Sequence, residues 1–194
     1  MGKVFDALDA HLTGFVTRQP VFFVATAPAG GDGHVNVSPK GGTGSFAVID
    51  PTTVAYLDIT GSGVETIAHL RDDGRITLLF CAFEGKPLIV RLYGRGDVVL
   101  PDDPRFADLA THFPDQPAVR SIIVVDLDRV ATSCGYGVPI MEYEGDRTKL
   151  REWADRRGPE GVAAYRRQKN EVSIDGLPGL PGLPGLADPE PAPA

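Results

Sequence analysis

Residues 119–133 read VRSIIVVDLDRVATS, a β-branched run that makes one long strand. Shorter stretches of the same kind precede it. PVFFVATAP at 20–28, HVNVS at 34–38, TVAYLDI at 53–59, RITLLFCAF at 75–83 and PLIVRLYGRGDVVL at 87–100 all read as strands. The turn AGGDG makes the first two a hairpin with a loop of about five residues. PKGGTGS at 39–45 is a glycine-rich connection, and Asp50-Pro51 turns the chain into TVAYLDI. The glycines of the 87–100 strand mark bends or bulges.

Helical spacing is confined to 4–12, 63–73, 104–113 and two stretches after 146, DRTKLREWADRRG and PEGVAAYRRQKN, broken at Gly158-Pro159. Most strands therefore follow one another with only turns between them. That order predicts a mainly β fold, an antiparallel barrel or sandwich with peripheral helices, rather than a regular βαβ sheet.

The expected organisation is an N-terminal helix at 1–14, a barrel domain at 15–140, a helical extension at 141–177 packing on the barrel, and a flexible tail at 178–194. The tail, DGLPGLPGLPGLADPEPAPA with the residues before it, shares collagen's period, but its few repeats cannot build a triple helix.

Composition narrows the function. No run approaches the roughly 18 apolar residues of a membrane span. The N-terminus is acidic and amphipathic and lacks the apolar stretch of a signal peptide, so a cytoplasmic location is expected. A net charge of −7 argues against nonspecific nucleic-acid binding. Cys81 and Cys134 form neither a disulfide framework nor a zinc spacing, and Cys81 reads as a small buried hydrophobe. His11, His34, His69 and His112 show no metal-ligand spacing. Basic residues are uneven: between Val4 and Leu70 there are only Arg18 and Lys40, whereas eight lie in 147–169. Those eight read as a solvated helical face or as a partner or ligand contact. Trp153 and Leu150 stand at helical spacing and read as a packing pair.

Two clusters carry candidate chemistry. The first is DITGSGVETIAHL at 58–70, where a strand hands over to a helix. Ser62-Gly63-Val64-Glu65 has the form of a capping box, in which serine and glutamate satisfy each other's backbone amides. The same geometry offers free amides and a positive dipole end to an anion, with Gly61 and Gly63 admitting a phosphate and Ser62 and Thr66 adding hydroxyls. Glu65 brings negative charge to the same place. Gly61-Ser62-Gly63, with Glu84 further on, approaches a dinucleotide fingerprint, but Thr66 stands at the third glycine. No Walker loop or nucleophile elbow exists. The second cluster is Asn36-Val37-Ser38-Pro39-Lys40-Gly41-Gly42. If strands 34–38 and 53–59 lie side by side, Lys40 faces an anion held at Thr60–Thr66.

HVNVSPKG, VAYLDITGSGVETIAHLRDDGRITLLF and IVRLYGRGDVV together resemble the pyridoxamine 5′-phosphate oxidase-like family over roughly 15–132. The resemblance implies an FMN-binding, antiparallel split β-barrel that is a homodimer with the flavin at the interface, acting as an oxidoreductase on a small molecule. It places Asn36, Val37, Ser38 and Lys40 along the ring and ribityl chain and Leu57–Thr60, with Asp58 and Thr60, beside the ring. Gly61, Ser62 and Thr66 fall at the phosphate, and Arg91 is a further positive contact. SCGYGVP at 133–139, with Tyr136 near the flavin, and NEVSIDGL at 170–177 look like marks of one flavin-binding subgroup. The true oxidases carry an Arg-Lys pair where this chain has Glu65 and Thr66, so two cations are absent and Lys40 and Arg91 must serve. The resemblance also admits a non-catalytic flavin or haem module, or a deazaflavin-dependent reductase. No histidine follows His112 to ligate haem. No residue stands out as general acid or base.

Overall fold

In the computed structural model, which describes residues 2–180, the β-branched runs become one continuous antiparallel sheet. Its strands are β1 (Val4–Phe5), β2 (Val21–Thr26), β3 (Asn36–Gly41), β4 (Phe46–Asp50), β5 (Thr53–Ile59), β6 (Arg75–Cys81), β7 (Ile89–Val99) and β8 (Val119–Ser133). The helices are α1 (Ala10–Arg18), α2 (Glu65–Asp72), α3 (Phe106–Ala110) and α4 (Lys149–Lys169). Strand order is β3-β2-β6-β7-β8-β5-β4, with β1 added to β8. The sheet curls into a split β-barrel, mainly β, with helices at its periphery.

The two long strands, β7 and β8, pair from Ile89↔Ser133 to Val99↔Ile122 and form the spine. Their register shifts between Tyr93 and Gly94. A Cβ at Gly94 would collide with the Asp126 carbonyl, so the bulge needs glycine for the close backbone approach. Inside the barrel, Phe22, Phe46, Tyr56 and Phe80 interlock. Phe22 and Phe80 stack at 5.3 Å, and Tyr56 meets Phe22 edge-on at 5.5 Å.

Several elements differ from expectation. The first helix covers 10–18 rather than 4–12. Val4 and Phe5 are zipped onto β8 opposite Ala131 and Val130, and Asp9 starts the helix by accepting the Leu12 amide at 2.7 Å. The first hairpin loop is longer, running from 27 to 35, and β3 continues through Pro39 and Lys40 to Gly41. Pro39 is tolerated because β3 is an edge strand. The strand FAVID at 46–50, hidden between a glycine run and a turn, pairs with β5. Asp50 closes that hairpin by accepting the Thr52 amide at 2.8 Å.

The strands of the two candidate clusters do not lie side by side. Four strands, β2, β6, β7 and β8, stand between β3 and β5 in the sheet. Curling of the sheet brings their side chains together instead.

The C-terminal extension is a kinked helix. At Gly158 the backbone takes φ 64° and ψ 174°, a conformation suited to glycine, and Pro159 follows without an amide to bond. Trp153 packs edge-on against Tyr165 across the kink at 5.0 Å, with the Arg157 guanidinium over both rings. Leu150, expected beside Trp153, is exposed. Residues 178–180, expected to begin the tail, are fastened: the Leu180 amide donates to Asn170 O at 2.7 Å and its side chain is buried in the core. The remainder of the expected tail, 181–194, lies outside the described residues.

Candidate functional site

At the end of β5 a carboxylate is taken entirely out of water. Asp58 is flanked by Leu57 and Ile59 on a mostly apolar strand, and its side chain is fully buried. Its partners come from distant parts of the chain. Lys40 Nζ donates to Oδ1 at 2.9 Å, Arg120 Nε to Oδ2 at 2.6 Å, and Ser121 Oγ to Oδ2 at 3.2 Å. Burial pushes the Asp58 carboxyl up, but Lys40 and Arg120 outweigh it and bring its pKa down to about 2. The same burial raises the Tyr56 phenol, helped by the charge on Asp58.

Arg120 also organises the glycine loop. Its Nη1 donates to Gly63 O at 2.7 Å and to Asn170 Oδ1 at 3.0 Å, and Asn170 Nδ2 donates to Gly61 O at 3.0 Å. The carbonyls of Gly61 and Gly63 are thus turned inward and satisfied. Among the described residues, the amides of Gly61, Ser62 and Gly63 donate to no protein group. Thr60 is held below the loop: its amide and hydroxyl both donate to Ala118 O, and Arg166 Nε donates to its hydroxyl oxygen at 2.8 Å. Ala118 takes φ 60°, the left-handed region, to present that carbonyl.

The capping box does not form. Helix α2 begins at Glu65 with Val64 as its N-cap, and no side chain caps it. Glu65 lies back against Gly63, its Oε2 standing where a Cβ on that glycine would be, and its Oε1 accepts from the Ile174 amide at 3.4 Å. Ser62 is exposed at the loop tip.

A chain of polar groups runs inward from β3. Ser38 Oγ donates to Asn36 Oδ1 at 3.1 Å, and Asn36 Nδ2 donates to Thr66 Oγ1 at 3.1 Å and Thr26 Oγ1 at 3.3 Å. The Thr26 hydroxyl meets His69 Nδ1 at 3.0 Å. Thr66 is buried, with its hydroxyl oxygen facing Asn36.

Lys40, Ser38, Gly61, Ser62, Glu65 and Arg120 border a cleft of about 220 Å³. Two cations and two carboxylates balance here, counting Asp58. An anion entering the cleft would therefore depend on free donors rather than on net charge. Those donors are the exposed loop amides, the Ser62 hydroxyl and the N–H groups of Lys40 not engaged with Asp58. A phosphate with one attached arm fits this set of donors.

The structure thus gathers Asn36, Ser38, Lys40, Asp58, Thr60, Gly61, Ser62 and Thr66 into one region. It does not bring in the others. Val37 points outward on β3 and is exposed. Arg91 stands opposite Leu79 and Ala131, on the face of the sheet away from Lys40, and bonds Ser133 at 3.1 Å. Tyr136 is 82% exposed in the segment after β8. Arg120 and Arg166 escaped the sequence reading. Arg120 left one trace, a cation opening an apolar strand; Arg166 was hidden among the other basic residues of α4. His34 and Asp175 join at 2.6 Å, tying the SIDG segment to the first hairpin loop.

Comparisons agree with this architecture. Residues 8–134 match the family described as pyridoxamine 5′-phosphate oxidase. The chain is 41% identical over 190 residues to the pyridoxamine 5′-phosphate oxidase family protein ustO of Aspergillus flavus, covering 90% of this chain and 76% of that protein. The crystal structure of HupZ from Group A Streptococcus has the same fold, at a TM-score of 0.50 and 21% identity, covering 63% of this chain and 91% of that one. An FMN-binding protein from Syntrophomonas wolfei superposes at a TM-score of 0.43 and 14% identity, covering 59% of this chain and 77% of that one.

Proposed function

The chain belongs to the pyridoxamine 5′-phosphate oxidase family, and from that premise we propose that it is an FMN-binding oxidoreductase acting on a small molecule. The observation that carries this reading is the Lys40–Asp58–Arg120 cluster beside the inward-turned Gly61–Gly63 loop. It sets Lys40 and Arg120, both paired with Asp58, and three free amides around a cleft of about 220 Å³. Lys40, Ser62 and the amides of Gly61–Gly63 would hold the flavin phosphate, and Asn36 and Ser38 would meet the ribityl hydroxyls. Bound flavin supplies the redox chemistry; the protein supplies position and electrostatics.

Among the described residues, this cleft is open rather than closed over a ring-sized ligand. Val35 and Val37, 70% and 62% exposed, give an apolar strip on the outward face around β3. The reading therefore includes a homodimer whose second copy covers that surface, with Tyr136 near the flavin. Thr66 cannot replace the cation that the family pattern places at its position, because its hydroxyl is buried against Asn36. The grip rests on Lys40, and pyridoxamine 5′-phosphate oxidation itself is not part of the proposal. No helix among the described residues is long and apolar enough to cross a membrane. A cytoplasmic location belongs to the same reading.

The test is a visible absorption spectrum of the purified protein after FMN addition and desalting. Retained flavin bands that fall away in Lys40→Ala support the proposal. No retained flavin, even from excess, sinks it. Turnover with a reductant then separates an oxidoreductase from a module that only stores or senses flavin.

A further inference from the structure

A second cleft, of about 930 Å³, shares no lining residue with the first, although the consecutive residues Lys40 and Gly41 border one each. Its size falls within the usual range for small-molecule sites. The lining is partly aromatic: half-buried Phe46 and Phe83 border it, with Phe46 backed by the buried Phe22 at 5.4 Å. One wall is an extended segment pinned at two points. The Met141 amide donates to Phe83 O at 3.0 Å, and Asp146 accepts from the Thr43 amide and hydroxyl at 2.9 and 2.8 Å. Tyr143 lines the cleft and donates to Asp146 at 2.6 Å, so the wall is fixed from both sides.

The rim has the charge opposite to the whole chain. Arg18, Lys86 and His11 border the cleft, and Glu84 is the single carboxylate among its described lining residues. Neither Arg18 nor Lys86 makes an ion pair among the described residues. Arg18 lies back along α1 over Gly14, where an added Cβ would sit 3.1 Å from its Nη1. In a chain of net charge −7, two cations without ion pairs bordering one cleft with half-buried aromatic side chains are a specific arrangement. An apolar lining takes a flat hydrocarbon body, and a guanidinium or an ammonium at its rim takes a carboxylate.

We infer that this cleft binds an aromatic carboxylate, with the ring against Phe46 and Phe83 and the carboxylate at the rim cations Arg18 and Lys86. The inference stands apart from flavin binding, because it uses none of the residues assigned to the flavin.

Calorimetric titration of the full chain with naphthoate, and with the neutral alcohol naphthylmethanol, tests it. The expected result is saturable naphthoate binding about tenfold tighter than that of the alcohol. The Arg18→Gln/Lys86→Gln double variant should lose about tenfold for naphthoate and nothing for the alcohol. Arg129→Gln, an exposed charge change elsewhere, should leave both unchanged. No naphthoate binding, no preference over the alcohol, or equal binding by the double variant overturns the inference. FMN retention is measured on the same double variant. Loss of retention there would assign the cleft to the flavin and overturn the inference as well; intact retention supports two separate sites.

Discussion

Lys40 Nζ lies 2.9 Å from Asp58 Oδ1 although no strand pairing joins β3 to β5. The contact bridges the barrel through side chains alone. Because Arg120 holds the other carboxylate oxygen from β8, one buried anion ties three separate strands together.

Removing that anion should be costly. Asp58→Asn leaves Arg120, 4% exposed, and the partly buried Lys40 without a counter-charge. The expected loss is about 3–5 kcal/mol of unfolding free energy, read by urea denaturation. A loss below about 1 kcal/mol would show that the cluster is open to water in solution.

Acid should weaken the fold through the same residue. The Asp58 pKa is about 2 when folded, below its ordinary 3.8. The unfolded chain therefore binds the proton first as pH falls. The contribution is fully present above about pH 4 and is lost between there and about pH 2, amounting to roughly 2 kcal/mol. Unfolding curves across that window should slope less steeply for Asp58→Asn than for the parent. Equal slopes would assign acid sensitivity to other carboxylates.

Asn170 should act on the loop rather than on the core. Asn170→Asp keeps an acceptor for Arg120 but removes the donor to Gly61 O. Faster hydrogen exchange at the amides of 61–64 is expected, with a stability loss of about 1–2 kcal/mol and weaker FMN retention. Unchanged exchange would mean that Arg120 alone holds the loop.

Glu65 should oppose anion binding. Glu65→Gln removes a carboxylate from the cleft border while leaving an oxygen that can accept from the Ile174 amide. FMN affinity at low salt should rise about threefold, and the gain should shrink as salt is added. Weaker binding in this variant would show that Glu65 serves the cofactor, for instance by ordering the segment at Ile174.

Much of this was legible along the chain because its causes are local. Alternation and β-branching marked β5, β6 and β8, with β8 found at both ends. Gly158-Pro159 announced the break in α4, because a backbone with positive φ and a missing amide is a property of those two residues. The resemblance that pointed to the split barrel likewise rested on runs of adjacent residues. Sequence spacing misjudged what depends on competition. The 4–12 segment has helical spacing, yet its start is captured by an open edge of β8. Ser62 and Glu65 have capping-box spacing, yet the loop carbonyls are taken by Arg120 and Asn170, and Glu65 is drawn to Ile174.

The amino-acid sequence by itself determined the strands, the breaks between them and the residue types available for a phosphate. Only the tertiary structure decided which of those residues meet. Lys40 and Arg120 stand 18 and 62 residues from Asp58, and Arg166 reaches Thr60 across 106. A buried charge must find its partners wherever the curled sheet delivers them, and that delivery is set by the packing of the whole barrel rather than by any neighbour in the chain.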